Sequence, residues 1–291
     1  MLKKKQMATD QTAQKHAAHS IPAYDGWLAA FHRTYQSELE AIVRGLPLHE
    51  VQHALDLACG DGFYSRRIVE RLGDKALLTA CDLNLAYLGR ARKEVANAKA
   101  KASAAFVAAA FDQLPFSAGS LDFVWCAQSL FSFPDPDLAL REIARTLKPG
   151  GRVAVLENDS LHQVVLPWPA SLELAIRAAE FEAHRAESTH ADKFYIGRRL
   201  PETLAQTGFV SESVTTHAFD RVSPLEPDQR VLLQGYLDDT AKRAGPHLSA
   251  MHRDELHRLI DPASPEHLLA RPNLSFTWLS ALAVGRRATN S

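Results

Sequence analysis

The sequence has no excess of basic charge. Its 291 residues carry 33 lysines and arginines against 34 aspartates and glutamates, a formal net charge of −1. A protein that holds a phosphate backbone needs a positive surface field, so this balance argues against nucleic acid as a partner. With 46% apolar and 23% charged residues, the chain has the composition of an ordinary globular protein.

Cysteines and long apolar runs are also scarce. The three cysteines, Cys59, Cys81 and Cys126, lack the spacing of a metal site, so we expect no bound metal and a reducing compartment. No apolar run approaches membrane-spanning length, and residues 1–20 lack the apolar segment of a secretory signal. We therefore predict a cytoplasmic protein with no membrane partner and with a flexible N-terminal tail.

Short apolar segments alternate with amphipathic segments through the first half of the chain. Strands are predicted at 53–58, 76–82, 104–109, 121–127 and 151–158. Helical spacing fills the intervals between them, and another helix is predicted to precede the first strand. Nearly all-apolar strands separated by helices indicate a parallel sheet that is covered on both faces, which is an α/β, doubly wound architecture.

The pattern changes after Asn158. Helices are predicted first, then a half-exposed strand at 210–222, further helical pieces, and a last strand at 274–287. We expect one domain over residues 21–287. Its predicted parts are a core at 48–158 and lid or substrate elements at 21–47, 159–208 and 224–272. The helical insertion before the last strand could form a lid or a dimer contact, which leaves a monomer and a homodimer both open.

The stretch "LDLACGDGFYSRRI", Leu55 to Ile68, places two glycines between an apolar strand and an amphipathic helix. It matches neither the G-x-G-x-x-G fingerprint nor the phosphate-binding G-x-x-x-x-G-K-[ST]. Gly60 and Gly62 would let the chain turn tightly and bring backbone amides against a ligand. In a doubly wound sheet, ligands bind at such strand ends. Asp56 could accept hydrogen bonds from a ligand ammonium or from the amides of the turn.

A second acid stands at the end of the next strand. Asp82 lies 22 residues beyond Gly60, where an acid typically binds the two hydroxyls of a ribose. Asp82 could also cap the helix that follows, and the two roles are compatible. The combination of acid, strand end and spacing favours a ligand that contains a ribose.

Three blocks of this sequence resemble a known family. They are "LDLACGDGFYS", "ACDLN" and the segment from "AFDQLPF" to "LKPGGRVAVLEND", within a similarity that spans about Tyr24 to Asp159. They resemble class I S-adenosylmethionine-dependent methyltransferases, of the small-molecule branch typified by the ubiquinone-biosynthesis C-methyltransferases (methyltransferase type 11). The resemblance implies a Rossmann-like, mostly parallel seven-stranded sheet with an antiparallel last strand. It also implies the cofactor S-adenosylmethionine and a small-molecule methyl acceptor.

The resemblance implies one set of cofactor-binding residues. Its members are Tyr24, Asp56, Ala58, Cys59, Gly60, Gly62, Asp82, Leu83, Phe111, Asp112 and Gln128. The first six would surround the methionine portion, Asp82 would hold the ribose, and the next three would meet the adenine. Gln128 would line the floor near the sulfonium. Tyr35 on the leading helix is an alternative to Tyr24 for the amino-acid end, and either tyrosine could be a core residue.

The sequence departs from the family pattern at two places. The acid that usually stands four residues before the leucine of "LPF" is replaced by Ala110, so Asp112, water or backbone would have to meet the adenine amino group. The segment "SLFSFPD", residues 129–135, lacks the usual paired histidines, which excludes a histidine base there.

Methyl transfer from a sulfonium is an in-line displacement in which the electrophile arrives activated. The protein then mainly supplies position, orientation and a dry cavity, and it needs a base only if the acceptor loses a proton. Asp159 and His162 are the candidate catalytic residues, although Asp159 could cap a helix and His162 could bind a buried carbonyl. Candidate substrate contacts are Trp168, Tyr195, Arg198 and Arg199. The aromatic residues could equally be core, and the arginines could form ion pairs.

Two other functions compete with methyl transfer. A nicotinamide-dependent oxidoreductase would need a third glycine where Ser65 stands and a catalytic Tyr-x-x-x-Lys, and we find neither. A protein that binds the sulfonium cofactor for regulation or for non-methylating chemistry stays open. Methyl transfer that depends on positioning needs no particular nucleophile. The sequence therefore contains no residue whose presence or absence would decide between these two functions.

Overall fold

The protein is described by a computed structural model that covers residues 25–289. Tyr24 and the predicted flexible tail lie outside this range. Five parallel strands form most of the sheet. They are β1 His53–Leu57, β2 Leu77–Cys81, β3 Ser103–Val107, β4 Leu121–Ala127 and β5 Leu147–Glu157. Their order across the sheet is β3-β2-β1-β4-β5, so the chain reverses its direction of travel between β1 and β4.

The last strands run antiparallel to this core. β7 (Phe209–Val222) pairs along its whole length with β8 (Ser275–Arg287), and the other edge of β8 pairs with β5. A two-residue strand, β6 (Val164–Val165), also joins β8, so the described sheet has eight strands where seven were predicted. The predicted α/β class and the antiparallel last strand are confirmed.

Helices cover both faces of the sheet. They are α1 Asp25–Thr34, α2 Gln36–Gly45, α3 Phe63–Val69, α4 Leu85–Ala96, α5 Pro136–Thr146, α6 Ala170–Glu187, α7 Leu200–Gln206, α8 Pro227–Ala244 and α9 Ala250–Ile260. The side chains of Asn84 and Asp135 cap α4 and α5 by accepting backbone N–H bonds. The predicted single leading helix is divided at Tyr35, whose ψ of 22° interrupts the helical backbone.

Two apolar clusters hold the layers together. On one face, α2 and α3 pack against residues such as Phe123 and Trp125. On the other face, α5 and α7 pack against the intervening residues of the same strands, such as Val124. Side chains of a strand alternate between the two faces, so both faces of β4 are buried. This double burial explains the nearly continuous apolar strands of the sequence.

Four helices, α1, α6, α8 and α9, form a cap at one end of the sheet. β5 ends opposite Ala281, whereas β8 begins at Ser275, so β7 and β8 extend beyond the carboxyl edge of the parallel strands. Trp278 on this extension is 1% exposed and contacts the rings of Phe31 and Tyr236. None of the helices between residues 25 and 289 combines the length and apolar character that crossing a bilayer requires.

Candidate active site

The turn after β1 depends on left-handed backbone. Ala58, Gly60 and Gly62 have φ values of 56°, 53° and 89°. A Cβ atom at Gly62 would lie 2.6 Å from the Cα of Ala91 on α4, so glycine is required there for close packing. A Cβ atom at Gly60 would meet no heavy atom within 4 Å, because this part of the turn borders open space.

Asp82 joins the turn to the end of β2. Its Oδ2 accepts a hydrogen bond from the Gly60 amide at 2.9 Å, and its Oδ1 accepts one from the Asn84 amide at 2.8 Å. Burial raises the pKa of this carboxyl, and the amide bonds oppose that effect. Each carboxylate oxygen has two lone pairs, so both oxygens keep capacity for another donor. The carboxylate can therefore hold the turn and still bind two hydroxyl groups.

Asp56 is more deeply buried than Asp82. It is 2% exposed, and its Oδ2 accepts a hydrogen bond from the hydroxyl of Ser65 on α3 at 2.5 Å. Burial raises the pKa of Asp56 to about 7, the Ser65 bond lowers it, and the charges of Asp82 and Asp61 raise it. A glycine at position 65 could not supply this hydroxyl, which gives the departure from the dinucleotide fingerprint a structural purpose.

The predicted adenine side lies beside the same turn. Leu83 is 51% exposed directly after Asp82, which leaves an apolar surface for a flat ring. Phe111 is half-buried and stacks on Phe133 with ring centroids 4.5 Å apart. Asp112 is exposed, so its carboxylate is open to solvent. The Cys59 amide bonds to the carbonyl of Cys81, which ties the turn to the end of β2.

The loop after β4 is fixed by an acid that was not predicted from the sequence. Glu157, at the end of β5, is fully buried and accepts the amides of Ser129 and Leu130 at 2.7 and 2.5 Å. Burial raises the pKa of Glu157 to about 8. Gln128, just before this loop, has a φ of 52° and donates its amide to Leu156. The sequence signal that could have identified Glu157 is a single acidic residue at the end of an otherwise apolar strand.

The two candidate catalytic residues share a turn but differ in their surroundings. The His162 amide bonds to the Asp159 carbonyl at 2.9 Å, and the His162 side chain is exposed. The Asp159 carboxylate accepts two hydrogen bonds from Arg198, each 2.5 Å long. In this structure both oxygens of Asp159 are therefore bound to the guanidinium of Arg198.

The other candidate substrate contacts are spread over several places. The Tyr195 hydroxyl bonds to Nδ1 of buried His184 at 3.1 Å, and Trp168 is 6% exposed near Arg177. Arg199 forms ion pairs and lines a cleft of about 580 Å³ between the segment Ala191–Arg199 and the start of α5, which we call the outer cleft. These residues do not converge on one pocket.

The cysteines and acids of residues 25–289 form no metal cluster. Cys59, Cys81 and Cys126 are buried and free. No three histidine, cysteine, aspartate or glutamate side chains in this range are grouped to hold an ion.

Comparison with known proteins identifies the domain that carries the glycine turn. Residues 55–155 match the family model described as a methyltransferase domain. The chain is 35% identical over 138 residues to the ubiquinone/menaquinone biosynthesis C-methyltransferase UbiE of Rhizobium meliloti, covering 47% of this chain and 53% of that protein. Residues 55–155 are a class I S-adenosylmethionine-dependent methyltransferase domain.

Further relatives show how far the similarity extends along the chain. UbiE of Rhizobium etli is 35% identical over 164 residues, which is 56% of this chain and 62% of that protein. The chain thus spans between half and two thirds of the length of these curated relatives. A crystal structure of a methyltransferase candidate from Bacillus halodurans superposes with a TM-score of 0.57 at 19% identity, covering 87% of this chain and all of that chain. This last likeness concerns the fold alone.

The matched methyltransferase domain contains the Gly60 turn, Asp82 and Gln128. It contains neither α1 nor the other cap helices. The family match therefore covers the glycine turn and the strand-end residues and does not extend to the cap.

Proposed function

We propose that this protein transfers a methyl group from S-adenosylmethionine to oxygen, nitrogen or carbon of a small-molecule acceptor. The observation that carries the proposal is the bond between the Gly60 amide and Asp82, within residues that match a methyltransferase domain. It joins an open glycine turn to a strand-end acid with spare acceptor capacity, and this combination suits a ribose-bearing cofactor.

In this proposal the cofactor lies along the carboxyl edge of the sheet. The amides of the turn from Ala58 to Gly62 hold its methionine portion, Asp82 holds the ribose hydroxyls, and Leu83 packs on the adenine. The cofactor supplies a methyl group that is already activated by the sulfonium. The residues of this chain orient the two reactants and exclude water.

The acceptor is proposed to enter between the cap and the loop after β4. Glu157 fixes that loop through two amides, so the floor under the acceptor is rigid. Phe31 and Tyr236 of the cap pack on Trp278 of β8, and all three are buried, so they hold the cap on the sheet. Because two relatives are named for ubiquinone/menaquinone biosynthesis, a reduced quinol is the first acceptor to test.

The cofactor assignment is tested by titration calorimetry with S-adenosylhomocysteine. Asp82→Ala removes charged hydrogen bonds to the ribose, so we expect its affinity to fall by roughly 10- to 100-fold. The matched control is Asp74→Ala, which removes an exposed carboxylate paired only with Lys101. Equal affinities for Asp82→Ala and the wild type would refute the ribose assignment. Binding of a nicotinamide dinucleotide in place of S-adenosylhomocysteine would refute the function.

The transfer itself is tested with cofactor labelled on the methyl group. We expect the label to appear in a small molecule when the protein is incubated with a reduced quinol or with a metabolite extract. Cofactor turnover without any labelled product would contradict methyl transfer and favour a non-methylating use of the cofactor.

A further inference from the structure

Helix α1 places a histidine against the glycine turn. His32 is 7% exposed, and its ring stacks on Phe63 with centroids 4.2 Å apart. Its Nδ1 lies 3.9 Å from a carboxylate oxygen of Asp61, the residue between Gly60 and Gly62. His32 is therefore a cap residue in contact with the side of the site where the cofactor is proposed to bind.

The polar atoms of this side chain are unused. Among residues 25–289, neither ring nitrogen of His32 has a hydrogen-bond partner. The same holds for the hydroxyl of Tyr64 and for Nε1 of Trp125. The three rings are neighbours, with centroids 5.6 Å apart for His32 and Tyr64 and 5.3 Å apart for Tyr64 and Trp125. We call these three residues the polar wall.

Buried polar groups without partners are rare in native proteins, because burial removes their bonds to water. Three neighbouring side chains of this kind lower the stability of the fold, and apolar residues of similar shape would avoid that loss. The polar wall also lies on the face of the sheet that carries Asp56, because Asp56 pairs in register with Trp125. Unused bonding capacity next to the turn indicates a place where a polar group binds.

The charges around His32 define what that group can be. Burial, and then the charges of Arg67 and Arg33, lower the pKa of His32 to about 3, while Asp61 lies beside it on the turn. The imidazole is therefore neutral and offers one donor and one acceptor. The Tyr64 hydroxyl can do either, and Trp125 can only donate. A neutral hydroxyl, which both donates and accepts, complements this set.

We infer that the polar wall binds a hydroxyl group of the methyl acceptor, with His32 as the positioning residue that determines specificity. The inference rests on the proposed function, since it places the acceptor next to the cofactor turn. It places an acceptor contact on α1, whereas the sequence predicted Asp159 and His162 as the catalytic residues beside the acceptor. In the structure the first of those is paired with Arg198 and the second is exposed.

The test compares phenol with toluene, which has a similar shape but no hydroxyl. Both are titrated into the complex of the full chain with S-adenosylhomocysteine, and the ring nitrogens of His32 are followed by ¹⁵N NMR. We expect phenol, and not toluene, to shift the His32 signals. Unmoved His32 signals at saturating phenol, or no phenol binding at all, would overturn the inference.

Two variants separate recognition from packing. His32→Phe keeps a ring on Phe63 and removes both nitrogens, so we expect an unchanged or higher melting temperature and at least fivefold weaker phenol binding. His32→Gln keeps hydrogen-bonding atoms and should recover part of that affinity. The control is His217→Phe on β7, which also loses an unpartnered Nε2 but should bind phenol as the wild type does.

The outcomes distinguish this inference from the proposed function. If S-adenosylhomocysteine fails to bind the wild type, both ideas fail together. If S-adenosylhomocysteine binds normally and His32→Phe binds phenol as tightly as the wild type, only the role of His32 is overturned.

Discussion

The two sides of the proposed site are built in different ways. On the sheet side, Gly60 and Asp82 are 22 residues apart, and one hydrogen bond from the Gly60 amide to the Asp82 carboxylate joins them. On the cap side, Arg33 binds Asp228 across 195 residues, and Trp27 packs against Gly235. The sheet side therefore depends on short motifs and backbone geometry, and the cap side depends on packing between distant segments.

Carboxylates of the sheet side, such as Asp82 and Glu157, accept hydrogen bonds from backbone amides. Buried polar atoms without a partner among residues 25–289 occur on both sides, for example Nε1 of Trp125 on β4 and the ring nitrogens of His32 on α1. The two sides therefore differ in how their backbone is held and not in whether they keep unused polar atoms.

The largest loss of stability on the sheet side is expected when a side chain replaces Gly62. In Gly62→Ala, left-handed backbone costs about 1–2 kcal/mol and crowding against Ala91 costs about 1–3 kcal/mol, so we expect a loss of roughly 2–5 kcal/mol. Urea unfolding measures it. The control Gly119→Ala has a φ of 66° and open space, so it should lose only the backbone part. Equal losses in the two variants would contradict the close approach of α3 and α4.

The next largest effect expected on the sheet side is a pH dependence of the unfolding free energy that arises from Asp56. The pKa of Asp56 rises from its ordinary value of 3.8 to about 7 on folding, so the native state binds this proton more tightly than the unfolded chain. The resulting stability is fully present below pH 3.8 and is lost as the pH rises through about 7. Asp56→Asn removes this titration. We expect the unfolding free energy of the wild type, relative to Asp56→Asn, to fall by at most about 4 kcal/mol over that window.

Urea unfolding at several pH values between 4 and 8 measures this difference. Glu157 has the same sign of shift and stays in both proteins, so its contribution cancels in the comparison. A difference that stays constant with pH would show that Asp56 titrates as an ordinary carboxyl.

Separating α1 from α8 should disturb the cap alone. In Gly235→Ala, the new Cβ atom would lie 2.6 Å from the Cβ of Trp27, and we expect a loss of about 1–3 kcal/mol. Gly89→Ala on α4 has open space and should instead stabilise the protein by about 0.5–1 kcal/mol. Thermal unfolding distinguishes the two signs. Gly235→Ala does not touch the sheet side, so we expect the binding free energy of S-adenosylhomocysteine to change by less than the unfolding free energy. A large loss of affinity would contradict the separation of the sheet side from the cap side.

The smallest effect is expected for Gly60→Ala, which tests how closely the ligand approaches the turn on the sheet side. Gly60→Ala places a methyl group in space that the protein leaves open, where the cofactor is proposed to lie. We expect its stability to match that of Gly119→Ala and its affinity for S-adenosylhomocysteine to fall about tenfold, or about 1.4 kcal/mol. Calorimetry on both variants checks this. Equal affinities would show that the ligand does not approach Gly60.

The sequence predicted the sheet better than the cap. Strand β4 was predicted at 121–127 and is found at Leu121–Ala127, because a short apolar run between turn residues has few alternatives. The end of helix α4 is less well marked in the sequence: the helix ends at Ala96, but the alanine-rich segment continues to residue 102 without a strong stop signal. The two-residue strand β6 was not predicted, because its pairing with β8 depends on tertiary contact.

The same division holds for the site. The pairing of Gly60 with Asp82 follows from a strand-end motif, and one sequence was enough to place both residues at one edge. His32 was missed, although it stands four residues after Leu28 and three before Tyr35 on the apolar face of the leading helix. Its contact with Phe63 arises only when α1 folds onto α3, and no local pattern encodes that distance.

The most direct test of the central claim is a crystal structure of the full chain with S-adenosylhomocysteine. We expect the ribose hydroxyls within hydrogen-bond distance of the Asp82 carboxylate and the amino-acid end against the amides of Ala58 to Gly62. A ligand found in the outer cleft beside Arg199, or one whose ribose makes no contact with Asp82, would contradict the account.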